Sequence, residues 1–186
     1  TSYASLEECT YLESDKPDMI VLDGQLVVDN VDDAIVKRWA DDGIDLVFSG
    51  MPENAHLRGS IQLKDLLGIS RVLQNEVKLT GTHLFGGFLL GGEAIYEAKD
   101  EEEAAERQDM DFTIPWYVTG AGTKTYMVGL ISDSVYNENM TTSLRQTYAT
   151  LDENSLKNMV LPAIIWRHGM GKSSVFCVNG DFLSDI

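Results

Sequence analysis

The sequence predicts an α/β protein whose sheet is mainly parallel, with antiparallel hairpin additions in its second half. Residues 18–52 contain two short apolar runs that flank a segment with helical spacing. Runs rich in β-branched residues and interrupted by glycines follow from Val77 onward. The first pattern predicts two neighbouring parallel strands joined by a crossover helix, and the later runs predict hairpins.

The βαβ unit is predicted in detail. Met19–Leu22 is a continuous apolar run, which is typical of a parallel strand covered on both faces. A helix is predicted from about Val31 to Asp42, with Asn30 as its N-cap, and a second strand over residues 45–50. Before this unit, the apolar spacing and early acidic residues of Ser5–Leu12 predict a first helix.

The remaining elements are predicted from periodicity, turn residues and charge. The terminal pair is predicted to be a hairpin because glycines lie between its strands. In chain order the predictions are a short helix near Leu63–Ile69, strands at Val77–Thr80 and Leu84–Leu90, an acidic solvated segment at Glu97–Glu106, a hairpin of Phe112–Val118 and Thr125–Ile131, a partly helical stretch at Tyr136–Lys157, and the hairpin of Ala163–Arg167 with Lys172–Val178.

Composition limits the classes of partner. The 186 residues include 14 Lys and Arg and 30 Asp and Glu, a formal charge of −16. Nucleic acid is excluded as a partner, because binding it requires clustered cations that neutralise phosphates. The mean hydropathy of −0.12 and the absence of a long apolar run predict no membrane insertion by this segment. The length predicts a single domain over residues 1–186.

The sequence predicts no cofactor and no metal site. Its histidines and its two cysteines, Cys9 and Cys177, do not have the spacing of a metal site, and both cysteines are expected to be buried apolar residues. Their disulfide state stays open. Gly171-Lys172-Ser173 resembles the end of a phosphate loop, but Trp166 stands where that loop needs a glycine.

Ligands of parallel α/β sheets bind at the carboxyl ends of the strands. The ligand-binding candidates are therefore Gly24, Ser49, Gly50 and Glu53, which follow the two predicted strands. No catalytic residue is assigned. Ser49 is a candidate nucleophile because it ends a core strand, yet it lacks the outer glycines of a nucleophile elbow, and His168 is a candidate base.

The chain resembles the class I glutamine-amidotransferase-like superfamily, and more closely its non-catalytic members beside glycoside-active domains. Pro17–Gly24, Val36–Gly43 and Asp45–Gly50 match its strand, glycine-ended helix and strand, and Ile165–Phe176 with Gly180–Phe182 matches its late hairpin. It also resembles an uncharacterised bacterial family in which such a domain precedes a polysaccharide-deacetylase-like domain in secreted proteins.

This resemblance implies a flavodoxin-like three-layer sandwich without amidotransferase activity. Active members carry a Cys in the elbow and a late His-x-Glu, whereas this chain has Met51 there and Gly169-Met170 after His168. The expected function is a catalytically degenerate module for binding or scaffolding in an extracytoplasmic, carbohydrate-related bacterial protein. The alternative is a serine hydrolase that uses Ser49.

The resemblance also implies the context of the chain. Expected partners are other domains of the same polypeptide and a glycan ligand, at the cell surface or outside the cell. The chain opens at Thr1 without an initiator Met, which predicts a segment excised from a longer protein.

Overall fold

The computed structural model describes residues 5–11, 13–85, 94–96 and 113–180. The chain divides into two compact units. Unit 1 comprises Thr1–Ser70, Gly120–Lys124 and Ile165–Ile186, and unit 2 comprises Arg71–Thr119 and Thr125–Ile164. The single domain expected for residues 1–186 stays a prediction, which joint unfolding of the two units would test.

The elements alternate between strands and helices in the first part of the chain. The strands are β1 (Met19–Asp23), β2 (Asp45–Ser49), β3 (Ile69–Lys78), β4 (Gly81–Leu84), β5 (Ala94–Tyr96), β6 (Thr113–Thr119), β7 (Thr123–Leu130), β8 (Ala163–Met170) and β9 (Ser173–Val178). The α-helices are α1 (Asn30–Asp41), α2 (Asn54–Gly59), α3 (Ile61–Leu67), α4 (Asp133–Asn139), α5 (Thr142–Thr147) and α6 (Glu153–Val160), with 3₁₀ turns at Glu13–Asp15 and Gly24–Leu26. The protein is therefore of the mixed α/β class.

The predicted βαβ unit is confirmed in unit 1. β1 pairs with β2 in parallel, and β2 pairs with β9 in parallel. β8 adds to β9 as an antiparallel hairpin, with Gly171 at φ 60° in the turn. The sheet of unit 1 thus has a parallel part and one hairpin addition, in the order β1-β2-β9-β8.

The helices of unit 1 cover one face of this sheet. α1 contacts β2 and β9, α3 contacts β9, and α1 contacts α3. Leu46 and Phe48 on that face are fully buried, whereas Met19 is 55% and Val21 62% exposed. The prediction that Met19–Leu22 is covered on both faces is therefore wrong. Apolar composition sets how much surface must be buried, but it does not specify a covering layer for each face.

Two local predictions are also wrong. Residues 5–8 form a turn rather than a helix, with the Cys9 amide bonded to the Leu6 carbonyl at 3.1 Å. The N-cap of α1 is Asp29, not Asn30, because the Asp29 carboxylate accepts from the amides of Val31 and Asp32 at 2.8 and 3.0 Å. A carboxylate one residue earlier reaches both otherwise unsatisfied donors.

Unit 2 is antiparallel where its pairings are described. β4 pairs with β7 and β5, and β6 lies beside β3 in a separate two-stranded sheet. The predicted strands of the 112–131 hairpin exist, but their pairing was predicted incorrectly, because β6 pairs with β3. The partly helical stretch is confirmed as α4, α5 and α6. The predictions for residues 86–90 and 97–106 lie outside the described residues.

In the described part of the chain, every helix is too short or too polar to cross a membrane.

Candidate functional site

The carboxyl ends of β1 and β2 bring three of the predicted site residues together. Parallel register sets Asp23 beside Ser49, and the next residues of the two strands are Gly24 and Gly50. The Gly50 amide donates to the Val178 carbonyl at 3.1 Å, which ties this corner to the end of β9. Gly24, Ser49 and Gly50 therefore share one edge of the sheet, as predicted.

Glycine is required at Gly24 because two backbone segments touch there. A Cβ atom on Gly24 would overlap the Gly50 carbonyl oxygen and lie 2.8 Å from the Met51 Cα. Gly50 itself has φ +78°, a conformation that side chains with a Cβ rarely adopt. The backbone at Gly24 therefore packs directly against the backbone of Gly50 and Met51.

The loop after β2 is apolar where an amidotransferase-like enzyme would need its nucleophile. Met51 and Pro52 are both buried, so neither residue is presented to solvent as a nucleophile would be. Glu53 follows, is exposed, and precedes α2 without capping it through its side chain. Among the four predicted ligand-binding residues, Glu53 is the one with a carboxylate, and it is open to solvent.

A second cluster near this edge was not predicted. Asp33 lies in the first turn of α1, is 2% exposed, and accepts from two side chains of the following helices. His56 Nε2 lies 2.9 Å from Asp33 Oδ1, and the Ser60 hydroxyl donates to Asp33 Oδ2 at 2.6 Å. Ser60 also caps α3 by accepting from the Leu63 amide at 3.0 Å. One buried carboxylate therefore connects α1, α2 and α3.

The hydrogen bonds of this cluster connect three helices and do not activate a nucleophile. We call Asp33, with its bonds to His56 and Ser60, the joint. In a Ser-His-Asp triad the histidine lies between the carboxylate and the serine, whereas here both residues bind the carboxylate directly. Ser60 Oγ is further occupied by the Leu63 amide. Local periodicity gave no signal for this cluster, since His56 and Ser60 are 23 and 27 residues from Asp33.

His168 lies away from Ser49. His168 pairs with Val175 on β9, and Val175 pairs with Leu46 on β2. Leu46 lies three residues before Ser49. Two strand spacings of about 4.8 Å and three rises of about 3.3 Å separate the two Cα atoms by roughly 14 Å. Alternation also directs the two side chains to opposite faces of the sheet. The structure therefore does not bring these candidates together.

His168 has structural contacts instead. Its Nδ1 lies 2.9 Å from the Thr123 hydroxyl, which also donates to the Gly68 carbonyl at 3.3 Å. Burial lowers the pKa of His168 below its ordinary value, and a bond to the Gly122 backbone and the charge of Asp65 partly offset this. The neutral imidazole is thus the form that the fold favours.

The two cysteines lack the features of nucleophiles. Cys177 is fully buried in β9, and burial raises its pKa well above the ordinary value. Burial also raises the pKa of Cys9. Nucleophilic cysteines need a lowered pKa and access to solvent. Both thiols are free, and the described residues contain no group of three or more metal-binding side chains.

Comparison with known proteins gives one distant likeness. No protein-family model matches the chain, and no curated protein matches it. Among solved structures it is similar to the exo-beta-1,4-mannosidase Op5Man5 from Opitutaceae bacterium strain TAV5, with a TM-score of 0.47 and 13% identity. The match covers 90% of this chain but 22% of that protein. A likeness of this degree shows neither family nor activity.

Proposed function

We propose that this chain is a catalytically degenerate amidotransferase-like module that binds a glycan or scaffolds neighbouring domains in a carbohydrate-related bacterial protein. In this proposal the fold is of the flavodoxin-like three-layer sandwich type, of which the described residues of unit 1 supply the sheet and one layer of helices, and the location is extracellular or at the cell surface. The partners are other domains of the same polypeptide.

One observation carries the non-catalytic part of the proposal. The loop that follows β2 contains buried Met51 and Pro52 where an amidotransferase would present its cysteine. The alternative sites for a thiol nucleophile also fail, because Cys177 is sealed in the sheet and burial raises its pKa. A group that is buried and protonated cannot attack a substrate amide.

The binding part is supported by the edge formed by Gly24, Ser49, Gly50 and Glu53. Ser49 is half-buried and Glu53 exposed, so a hydroxyl and a carboxylate are available beside a tightly packed backbone. The Ser49 hydroxyl can donate and accept hydrogen bonds with the hydroxyl groups of sugars, and the Glu53 carboxylate can accept them. The position agrees with the general site of ligands on parallel sheets.

The proposal is tested by two measurements on the same preparation. A glutaminase assay should give no turnover above a buffer control, and turnover abolished by Cys177→Ala would overturn the non-catalytic assignment. A glycan array should give binding that Glu53→Gln weakens about tenfold or more. Glu76→Gln, which changes another exposed carboxylate in unit 2, is the matched control and should bind like the wild type.

The serine-hydrolase alternative has its own test. Ser49 ends a parallel strand at the expected edge, which is the observation in its favour. A fluorophosphonate probe that labels the wild type but not Ser49→Ala would establish it. We expect no such labelling, because His168 lies roughly 14 Å away by strand register and faces the opposite side of the sheet.

A further inference from the structure

Among the described residues of unit 1, helices cover one face of the sheet and leave the other without a helical layer. Alternation along the strands puts Met19 and Val21 of β1, Val47 of β2 and Phe176 of β9 on this face, which we call the open face. Met19 and Val21 are 55% and 62% exposed, and the other two are half-buried. The described helices of unit 1 cover the opposite face, where Phe48 is fully buried.

An open apolar face is unusual for strands that pair in parallel. Such strands occur almost always with helices on both faces, since their crossover connections place helices there. The apolar side chains of the open face are contiguous, because Val21 pairs with Val47 and Val47 with Phe176 in register. Contiguous exposed apolar surface marks a site of interaction rather than ordinary protein surface.

The charges around this face indicate which occupant it accepts. Asp23 and Asp45 lie on the same face and are exposed, at either end of the apolar residues, and each carboxylate uses one oxygen to accept a backbone amide, from Gln25 at 2.9 Å and from Ser174 at 2.7 Å. Arg167, also on this face, keeps its positive charge because its guanidinium is bonded to the neutral Ser174 hydroxyl at 2.7 Å, so together with Asp23 and Asp45 it leaves a net negative charge. The whole chain carries a formal charge of −16, so a second copy would be repelled. A cationic partner is favoured.

We propose that the open face is the docking surface for an amphipathic α-helix of a partner polypeptide, with an apolar stripe flanked by Lys and Arg. The stripe would pack on Met19, Val21, Val47 and Phe176, and the flanking cations would lie beside Asp23 and Asp45. Such a helix supplies the layer that α/β sheets carry on their second face. This inference rests on the proposed function in that the domain acts by binding.

The test uses a labelled synthetic peptide of about 18 residues, or five helical turns, with a leucine stripe and lysines elsewhere. Fluorescence anisotropy should show saturable binding to the wild-type chain that weakens as salt is raised. Val21→Glu and Met19→Glu should each weaken binding tenfold or more. A version of the peptide with glutamates in place of lysines should bind at least tenfold more weakly.

The matched control is Ile61→Glu, which adds the same charge at an apolar residue of α3 that is 72% exposed. It should bind the peptide within about twofold of the wild type. No binding by the wild type, equal binding of both peptides, or equal weakening by Ile61→Glu would overturn the proposal. Concentration-dependent dimers in sedimentation that Val21→Glu abolishes would also overturn it, because the occupant would then be a second copy.

The glycan array of the proposed function separates the two ideas. Met19→Glu should leave glycan binding unchanged, because Met19 pairs with Asp45, at the opposite end of β2 from Ser49, which lies on the same face. Failure of peptide binding with intact glycan binding would refute the docking surface alone. Failure of glycan binding with intact peptide binding would refute the glycan ligand alone.

Discussion

Replacing Asp33 with alanine should destabilise the fold far more than replacing another acidic residue of the same helix. Asp33 is 2% exposed and accepts from His56 Nε2 at 2.9 Å and the Ser60 hydroxyl at 2.6 Å. A hydrogen bond to a charged acceptor contributes about 1.5–3 kcal/mol, and the two bonds share one carboxylate. We therefore expect Asp33→Ala to lower the free energy of unfolding by about 2–4 kcal/mol.

Thermal unfolding followed by circular dichroism measures this effect. For a chain of this size, 1 kcal/mol corresponds to about 2–4 °C, so the midpoint should fall by roughly 5–15 °C. The control is Asp41→Ala, which removes an exposed carboxylate paired with Lys37 one turn away on α1. Exposed pairs of this kind contribute about 0.3–0.5 kcal/mol. Equal losses in the two variants would refute the assignment of Asp33 as a joint.

Three further predictions test the packing around the site. Gly24→Ala should cost about 1–3 kcal/mol, measured by urea unfolding, because its Cβ would overlap the Gly50 carbonyl; unchanged stability would contradict the close approach. His168 has a folded pKa below its unfolded value of 6.5, so its contribution to stability is complete above pH 6.5 and is lost as pH falls toward the folded pKa. The difference between the urea midpoints at pH 7.5 and pH 5 should therefore be smaller in His168→Asn than in the wild type. Iodoacetamide should leave Cys177 unmodified in the native state and alkylate it only after denaturation. Cys9, which is partly exposed, should react first. Labelling of Cys177 in the native state, detected by mass spectrometry, would show that β9 opens.

The elements that were predicted correctly are those with a strong local pattern. The apolar runs that became β1 and β2 flank a helix whose spacing repeats over three turns, so periodicity alone places them. The short helix predicted near Leu63–Ile69 is α3, and Gly68 is its left-handed C-cap with φ 70°. The terminal hairpin followed from glycines in its turn, and Gly171 has the positive φ that such a turn needs.

The predictions that failed depend on contacts between distant residues. Pairing of β6 with β3 depends on which strand edges meet, which turn residues do not encode. The buried indole of Trp166 donates to the Leu67 carbonyl at 2.7 Å across 99 residues of sequence, and no local pattern indicates this bond. The carboxylate of Asp33 looked like one of several acids in the first turn of a helix. Only the fold distinguishes it, by burying it against His56 and Ser60.

The position of the Asp33 cluster relates stability to the proposed binding site. Asp33 is in the first turn of α1, which follows β1, and His56 is in α2, which follows β2, so both helices begin at the carboxyl edge of the sheet. A carboxylate that fixes the starts of both helices also fixes the loops that contain Gly24 and Glu53. Binding benefits from such rigidity because less conformational entropy is lost when the ligand binds.

The effect of Asp33 on stability and its effect on the binding site are separable by experiment. Asp33→Asn retains an acceptor oxygen for the Ser60 hydroxyl and removes the charge that faces His56, so it should lose less stability than Asp33→Ala. If the joint acts by holding the loops, glycan binding should follow stability across the two variants, weakest in Asp33→Ala. If glycan binding is lost equally in both while their unfolding midpoints differ, the charge of Asp33 acts on the ligand and the joint is not what prepares the site.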